Sequence, residues 1–352
     1  MIFDHPWLGA LFGDTEIADL FSADAQLAHY RAFEVALARA LGACGRVSME
    51  QEQGAADAIM ESRIDITSLA DATLRDGLPI PDFVRKLRAQ AGGNEAAIHT
   101  GATSQDVLDT ALSLTLKNVS GVLIDRLQKL DSSLTKLADE KGDTPLMGRT
   151  RMQAALPITV ADRIESWRRP LEDHVDGLEA LKPRVERLQL GGAVGTRHGF
   201  GEDGDRIATH MANALDLAAG PVWHTDRTGI AEYAGRLSLI TGSLGKLGQD
   251  VALMAQQRVD EVTLQGGGGS SAMPHKSNPI LAELLVTLAR FNATLISGLH
   301  QSLIHEQERS GAAWMLEWMM LPQMAVTTGR ALSAADALVD RIDRIGSKVT
   351  LS

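Results

Sequence analysis

The chain has 352 residues, which is long enough for two or three structural regions around a large core. Its net charge of −11 argues against a general nucleic-acid-binding surface, and its single cysteine, Cys44, excludes an internal disulfide and a cysteine-based zinc site. Hydrophobic residues make up 44% of the chain and aromatic residues only 4%, which favours helices that approach one another through small side chains.

The N-terminal sequence MIFDHPWLGALFGDTE lacks a basic stretch followed by an apolar run, so it does not resemble a signal peptide. No window of about 18 uncharged apolar residues occurs, and a membrane span needs a stretch of that length. We therefore expect a cytoplasmic protein that does not cross a membrane.

Helical periodicity runs through almost the whole chain, and the alternation typical of strands is nearly absent. Four long helices are predicted, over 22–41, 103–141, 155–181 and 229–264. Ser22 or Asp24 is expected to cap the first of them. A fifth helix is predicted to begin at Pro279, with Asn278 as its N-cap, because proline is favoured at the first helical position.

The helix predicted over 229–264 carries the most regular apolar pattern of the chain. Eight residues alternate steps of three and four: Ile230, Tyr233, Leu237, Ile240, Leu244, Leu247, Val251 and Met254. Small residues such as Gly245 and Gly248 lie beside this seam, although glycine costs about 1 kcal/mol in a helix relative to alanine. The pattern favours homo-oligomerisation through this helix; the alternative is a bundle formed within one chain.

Three polar segments interrupt the helical pattern and contain candidate functional residues. The first, HTGATSQD, precedes a predicted helix and includes Thr103 and Ser104. These residues serve either as an ordinary helix cap or, together with the positive helix end, as a site for a carboxylate or phosphate.

The other two polar segments contain cations and hydroxyl groups. The segment GRTRMQAALP carries Arg149 and Arg151, which either point into solvent or bind a carboxylate through two hydrogen bonds. The loop GGGGSSAMPHKSNP has the glycines of a mobile lid, followed by Ser270 and Lys276. Lys276 and the following helix N-terminus could activate that serine, whereas the alternative is a loop that only caps the helix.

The ten histidines show no metal-binding spacing, and the glycine-rich GGAVGT lacks the strand-turn-helix context of a dinucleotide fold. WHTDRT is interpreted as a polar loop before the 229–264 helix. We expect no metal and no organic cofactor.

The three polar segments resemble the signature regions of the fumarase/aspartase superfamily. GSSAMPHKSNP is similar to the most specific motif of that family, and HTGATSQD and GRTRMQAALP are similar to its first and second conserved regions. The resemblance covers most of the chain. It implies an all-α fold in which a long central helical bundle forms the core of a homotetramer, with active sites shared between subunits.

The same resemblance implies roles for individual residues. Ser270 matches the catalytic base, and Lys276 and Asn278 match residues that bind the substrate carboxylate and assist the intermediate. Thr103 and Ser104 match an anion-binding pair. Further residues are assigned to substrate binding: Arg149, Arg151, Gln153, Met273 and Arg309. Three more are candidates for orienting the catalytic groups: Glu283, His99 and His275.

One position departs from the pattern of the lyases in this family, which usually carry a histidine where this chain has Arg151. A lyase that releases an amine must protonate the departing nitrogen, whereas a cycloisomerase uses an internal carboxylate, which an arginine can steer. The segments WHTDRTGIAEYAGRL and HEQERSGAAWMLEW resemble the cycloisomerases of the family, although a glutamine is commoner where Asp226 stands.

The resemblance therefore implies conversion of 3-carboxy-cis,cis-muconate, a small tricarboxylate, to a lactone in the protocatechuate branch of the β-ketoadipate pathway. The alternatives are a fumarate-releasing lyase similar to adenylosuccinate lyase, a cycloisomerase for a 3-sulfo substrate, and a non-catalytic relative. We predict an N-terminal helical domain over 1–102, a central bundle over 103–344 and a short tail over 345–352. The C-terminal domain that the resemblance implies is expected to be missing.

Overall fold

Long helices that run up and down one bundle make up most of the chain. The computed structural model describes residues 2–269, 273 and 277–347. Its helices are α1 (Leu8–Phe12), α2 (Thr15–Leu20), α3 (Ala23–Ala43), α4 (Met49–Glu61), α5 (Ile66–Asp76), α6 (Ile80–Ala89), α7 (Ser104–Lys141), α8 (Val160–Val185), α9 (Gly204–Leu215), α10 (Thr228–Met254), α11 (Ile280–Gln301) and α12 (Gly311–Asp340). Its strands are β1 (Pro145–Thr150), β2 (Gln153–Thr159), β3 (Val262–Leu264) and β4 (Ile342–Ile345).

The main core lies between α7, α8, α10, α11 and α12, and α10 packs against the three helices α8, α11 and α12. All eight residues of the predicted α10 seam are buried, which confirms the pattern derived from the sequence. A seam of three- and four-residue steps keeps one helical face toward its neighbours, so burial of that face stabilises the bundle. The all-α prediction is confirmed.

Two glycines beside the seam allow α10 and α11 to approach closely within one chain. A Cβ atom on Gly245 would lie 2.6 Å from the Cβ of Ala289, and one on Gly248 would lie 2.6 Å from the carbonyl oxygen of Ala282. These two glycines therefore allow close helix packing within one chain, as expected for a bundle formed within one chain. Oligomerisation through α10 stays a prediction.

A second core lies beside the N-terminal end of α7. It combines apolar residues of α3, α4 and α6 with Val107 and Ala111 of α7 and with the face of α9 that carries Ile207 and Met211. Ser22 caps α3, its hydroxyl accepting the Ala25 N–H at 3.2 Å, which selects between the two predicted caps. The predicted division between domains at residue 102 stays a prediction.

Two predicted helices are shorter than expected because their ends form strands. Residues 155–159 were predicted as the start of a helix, but they belong to β2, which pairs with β1 as an antiparallel hairpin, and α8 begins only at Val160. The fourth predicted helix stops at Met254 rather than near residue 264. The chain then turns through positive φ angles at Arg258 and Asp260 and pairs as β3 with β4.

The predicted cap of α11 is also displaced by one residue. The helix begins at Ile280, with Pro279 at the N-cap position and no side-chain cap. Asn278 instead exchanges two backbone hydrogen bonds with Gly268, at 2.9 and 3.0 Å. This pair closes the base of the glycine-rich loop, so Asn278 belongs to the loop rather than to the helix.

Two helices, α7 and α11, are long and apolar enough to cross a membrane by length and composition alone. This is weak evidence, because core helices of water-soluble proteins pass the same test. The apolar window of α7 is 61% buried inside the bundle, whereas that of α11 is only 28% buried. Much of α11 therefore lies at the surface of a single chain.

A buried histidine links α8 to α10 in the middle of the bundle. His174 is 6% exposed and its Nε2 lies 2.8 Å from the hydroxyl of Ser243, while Nδ1 has no hydrogen-bond partner in the part of the chain that the structure describes. Burial, with a smaller contribution from the positive charge of Arg236, lowers the pKa of His174 from 6.5 to about 4. The folded protein therefore holds this ring neutral.

We expect this histidine to make the protein less stable in mild acid. Between pH 6.5 and about 4 the unfolded chain binds a proton at His174 that the folded chain does not, so the free energy of unfolding falls as the pH falls. Thermal unfolding of wild type, His174→Asn and the control His210→Asn, which changes an exposed histidine of α9, should show a shallower slope only for His174→Asn. Parallel curves for all three proteins would contradict this assignment.

Candidate active site

The candidate residues lie at two opposite ends of the bundle. α7 has 38 residues, and at 1.5 Å per residue its two ends are about 55 Å apart. The Thr103 end contains residues 99–106 and, in contact with them, 191–197, 223–228 and 305–310. The Arg149 end contains residues 145–159, 261–268, 278–283 and 341–347.

Asp106 organises the Thr103 end. Its buried carboxylate accepts the N–H groups of Thr103 at 3.0 Å, Gly191 at 2.7 Å and Gly192 at 2.9 Å, and it lies 2.9 Å from Nε2 of His224. One side chain thus joins the α7 N-terminus, the glycine-rich segment and the loop before α10.

The segment GGAVGT, which lacks the sequence context of a dinucleotide-binding motif, packs on His224. A Cβ atom on Gly191 would lie 2.7 Å from Cε1 of that ring, so a larger residue would collide with it. Gly192 and Gly195 have φ angles of +69° and +79°, which favour glycine. The glycines therefore let the backbone reach Asp106 and cover the histidine.

His99 is held by a buried carboxylate from α3. Its Nδ1 lies 2.6 Å from one oxygen of Glu34, and its backbone N–H donates to the other oxygen at 2.8 Å. Burial acts to lower the pKa of His99, but the charge and hydrogen bond of Glu34 outweigh burial, so the pKa lies above 6.5. The Glu34 carboxylate therefore favours the protonated ring and holds it on the 98–103 turn.

Arg309 comes to the Thr103 end from the segment before α12. Its Nε donates to the amide oxygen of Gln105 at 2.8 Å, and Nη2 donates to the carbonyl of Ala193 at 3.2 Å. The residue is exposed, and it stands beside the first turn of α7, next to the half-buried Thr103 and Ser104. The structure therefore places Arg309 beside Thr103 and Ser104, and its role in substrate binding stays a prediction.

Beneath this surface lies a fully buried group of charges. Arg227 donates to both oxygens of Asp109, at 2.8 and 3.1 Å, and to both oxygens of Glu317, at 2.9 and 2.5 Å. Its guanidinium carbon also lies 4.7 Å from the ring centre of Trp223. Burial raises the pKa of Glu317, while the attraction of Arg227 opposes that shift. Asp226, where a glutamine is commoner, precedes α10 and accepts from the hydroxyl of Thr228 at 2.5 Å and from its backbone N–H at 3.2 Å.

At the Arg149 end, the hairpin of β1 and β2 projects from the bundle. Thr150 pairs with Gln153, so Arg151 and Met152 form a two-residue turn, and their φ angles are +49° and +68°. Hairpin turns of this form prefer Asn-Gly, so an arginine and a methionine store strain there. Arg151 and Gln153 are exposed, and Leu156 is 73% exposed on the same hairpin.

A cation-rich cavity of about 470 Å³ lies under the hairpin tip. Arg149 donates to both oxygens of the buried Glu261, at 2.6 and 2.8 Å, which fixes the base of the hairpin. Arg163 lies 3.2 Å from Asp250, also at the cavity. Arg149 is therefore already paired with a carboxylate of the protein, and its contact with substrate stays a prediction.

The glycine-rich loop begins at the same end as the hairpin. The predicted residues Ser270, His275 and Lys276 lie outside the described residues. Met273 is 42% exposed, and Glu283 is exposed in the first turn of α11. Asn278 is half-buried at the loop base. The loop and the hairpin thus share one end of the chain, about one α7 length from Thr103 and Ser104.

Six buried residues hold the Thr103 end together, and none of them was predicted from the sequence as a functional residue. They are Gln105, Asp109, Gln189, His224, Arg227 and Glu317. One signal was present, because Gln105 and Asp109 are polar residues four apart on the buried face of a helix. Nothing in the linear pattern pointed to Glu317, which reaches this cluster only through the packing of α12 against α7 and α10.

Comparisons with known proteins agree with this geometry. A family model described as a lyase matches residues 19–293. The 3-carboxy-cis,cis-muconate cycloisomerase of Acinetobacter baylyi is 36% identical over 336 residues, which cover 92% of this chain and 74% of that protein. The protein of the same name from Pseudomonas aeruginosa is 35% identical over 342 residues, covering 95% and 74%.

A solved structure has the same fold. The crystal structure of 3-carboxy-cis,cis-muconate lactonizing enzyme from Pseudomonas putida superposes with a TM-score of 0.90 at 34% identity, covering 97% of this chain and 78% of that one. The fold is therefore shared over nearly the whole chain.

We expect Asp106→Asn to destabilise the protein by about 2–4 kcal/mol, because three backbone N–H groups and His224 lose a charged acceptor. Asp162→Asn is a matched control. Asp162 stands at the same position of the α8 cap, accepts from Thr159 and is exposed, so its replacement should cost much less than that of Asp106. Urea unfolding measures both, and equal losses would show that Asp106 is only a helix cap.

Proposed function

The chain belongs to the lyase family whose model it matches, and we propose that it is a cycloisomerase that converts 3-carboxy-cis,cis-muconate to 4-carboxymuconolactone. The observation that carries this proposal is Arg151 at the tip of the exposed hairpin, where lyases of the family use a histidine. Relatives named as cycloisomerases match over 92% of the chain or more, which supports the same activity.

The reaction is an intramolecular conjugate addition. One carboxylate oxygen of the substrate forms a bond to the nearer carbon of the distal alkene, which closes a five-membered lactone. The alkene electrons move onto the carboxylate at the far end of that alkene, giving an aci-carboxylate, and a proton then adds to the carbon next to it. Atoms and charge balance without an oxidant, a reductant or a second substrate.

Nine of the candidate residues have a task in this mechanism. Ser270 delivers the proton, and Lys276 and Asn278 stabilise the charge that builds up on the aci-carboxylate. Thr103 and Ser104 bind a carboxylate at the positive end of α7. Gln153 and Met273 line the same site.

Two guanidinium groups, Arg151 and Arg309, hold the remaining carboxylates. Arg151 suits this reaction better than a lyase reaction, because the leaving group of the reverse step is a carboxylate. A carboxylate is a stable anion that needs a positive charge nearby rather than a proton, whereas a departing amine needs an acid. An arginine stays charged at every physiological pH and cannot act as that acid. Adenylosuccinate, whose cleavage releases an amine, should therefore be a poor substrate.

We expect the purified protein to remove the diene absorbance of 3-carboxy-cis,cis-muconate in an ultraviolet assay, and Ser270→Ala to lose at least about 100-fold in kcat, the usual contribution of a proton-transferring group. The control Ser277→Ala changes an exposed serine of the same loop and should keep most of the activity. Turnover of adenylosuccinate without turnover of the muconate would assign the protein as a lyase.

We further propose that the protein is a homotetramer in which each active site combines segments of different subunits. The Thr103 end and the Arg149 end of one chain are separated by the length of α7, so a single chain cannot bring Thr103, Ser104 and the loop of Ser270 together. The hairpin exposes Met152 and Leu156, and α11 is apolar but little buried in one chain. Both features suit surfaces that another copy covers.

Subunit sharing should be visible as recovery of activity in mixtures. Ser270→Ala and Arg309→Ala are each expected to be inactive, but unfolding and refolding them together should restore activity in about a quarter of the sites, because those sites receive both intact segments. A mixture of Ser270→Ala and Lys276→Ala alters the same loop twice and should stay inactive. Light scattering should give four chains, and a monomer or an inactive first mixture would contradict the proposal.

A further inference from the structure

We propose that Gln105 is a positioning residue that orients Arg309 for a substrate carboxylate, and that the buried pair Asp109 and Arg227 fixes Gln105 in turn. The inference rests on the proposed function, since it concerns how that site binds its carboxylates. It assigns a task to a buried network that the proposed mechanism does not otherwise use.

The amide of Gln105 has only one orientation that satisfies its surroundings. The side chain is fully buried, and its nitrogen donates to Oδ2 of Asp109 at 3.0 Å and to the carbonyl oxygen of His224 at 2.9 Å. Both partners are acceptors, so the amide nitrogen must face them. The amide oxygen is thereby directed to the opposite side, where it accepts from Nε of Arg309 at 2.8 Å.

Asp109 cannot move away from Gln105, because it is held from two other elements. Arg227 donates to both of its oxygens, and Nε1 of Trp314 donates to Oδ1 at 3.2 Å. Arg227 is itself bound to Glu317 of α12. A buried polar network in which the partners are satisfied is rigid, so the position of the Gln105 oxygen is determined by α7, α12 and the loop before α10.

The contact with Gln105 determines which edge of Arg309 remains available. Nε is occupied by Gln105 and Nη2 donates one hydrogen to Ala193, so the edge formed by Nε and Nη2 faces the protein. The opposite edge, formed by Nη1 and the second hydrogen of Nη2, has no hydrogen-bond partner within the ranges that the structure describes. That edge matches a carboxylate, which accepts two parallel hydrogen bonds from a guanidinium.

The location of this edge agrees with the proposed site. Gln105 follows Thr103 and Ser104 directly, so Arg309 is anchored within one helical turn of the anion-binding pair and close to the positive end of α7. A lysine at 309 could not replace this arrangement, because it lacks a planar group that Gln105 could orient by one edge while the other binds substrate.

The experiment compares Gln105→Met with Gln189→Met. Gln189 is equally buried, and its amide lies 3.5 Å from the same Asp109 oxygen and accepts from the Trp223 N–H, but its recorded hydrogen bonds do not involve Arg309. Both changes keep the side-chain length and remove buried amide hydrogen bonds, so we expect similar losses of melting temperature. Only Gln105→Met should raise KM for 3-carboxy-cis,cis-muconate, by about tenfold or more, with a smaller change in kcat.

A double-mutant cycle tests whether the effect passes through Arg309. In an Arg309→Met background, Gln105→Met should leave the Kd for the unreactive tricarboxylate tricarballylate unchanged, because there is no guanidinium left to orient. Equal KM increases for Gln105→Met and Gln189→Met would overturn the proposal. So would additive effects of Gln105→Met and Arg309→Met on the free energy of tricarballylate binding.

Calorimetric binding of tricarballylate, an unreactive tricarboxylate, provides a readout that does not need turnover. We expect its Kd to rise about tenfold for Gln105→Met and to stay near the wild-type value for Gln189→Met. If the wild type turns over no muconate, the proposed function fails, while this Kd comparison still decides the role of Gln105. An unchanged Kd in Gln105→Met, or a wild type that binds neither carboxylate, would overturn the inference.

Discussion

The rest of the structure depends on α7, a single uninterrupted helix of 38 residues. Its first turn carries Thr103 and Ser104, and the hairpin with Arg149 and Arg151 follows its last turn. A helix of this length holds its ends about 55 Å apart, so the proposed site can form only where ends of different chains meet. The proposed function therefore requires assembly on geometric grounds, in addition to any stability that assembly would supply.

At the Thr103 end, the buried carboxylates of Asp106, Asp109 and Glu317 all accept hydrogen bonds. Backbone N–H groups and His224 surround Asp106, and Arg227 bridges Asp109 to Glu317. Removing one partner from such a network leaves a buried charge unpaired, which is why it holds its geometry. The Arg149 end is different: its hairpin is exposed and strained at the tip, as suits a segment whose partner lies outside the chain.

The sequence predicted the long helices well because a buried helix leaves a regular apolar seam, and the eight seam residues of α10 are all buried. It failed where strands replaced helix ends. Residues 153–159 contain no polar alternation, and their pairing with β1 is a contact that local propensity does not encode. The same holds for the end of α10, where β3 depends on β4, a strand nearly eighty residues further along the chain.

By itself, the sequence determined the all-α class, the helix starts at Ser22 and Thr103, and the motif residues that suggest carboxylate chemistry, because these features are local in the chain. Only the tertiary structure decided which of those residues are neighbours. It placed Arg309 beside Gln105, paired Arg149 with Glu261, and separated Thr103 from the hairpin. Such relations arise from helix length and side-chain packing across hundreds of residues, and no spacing within one motif contains them.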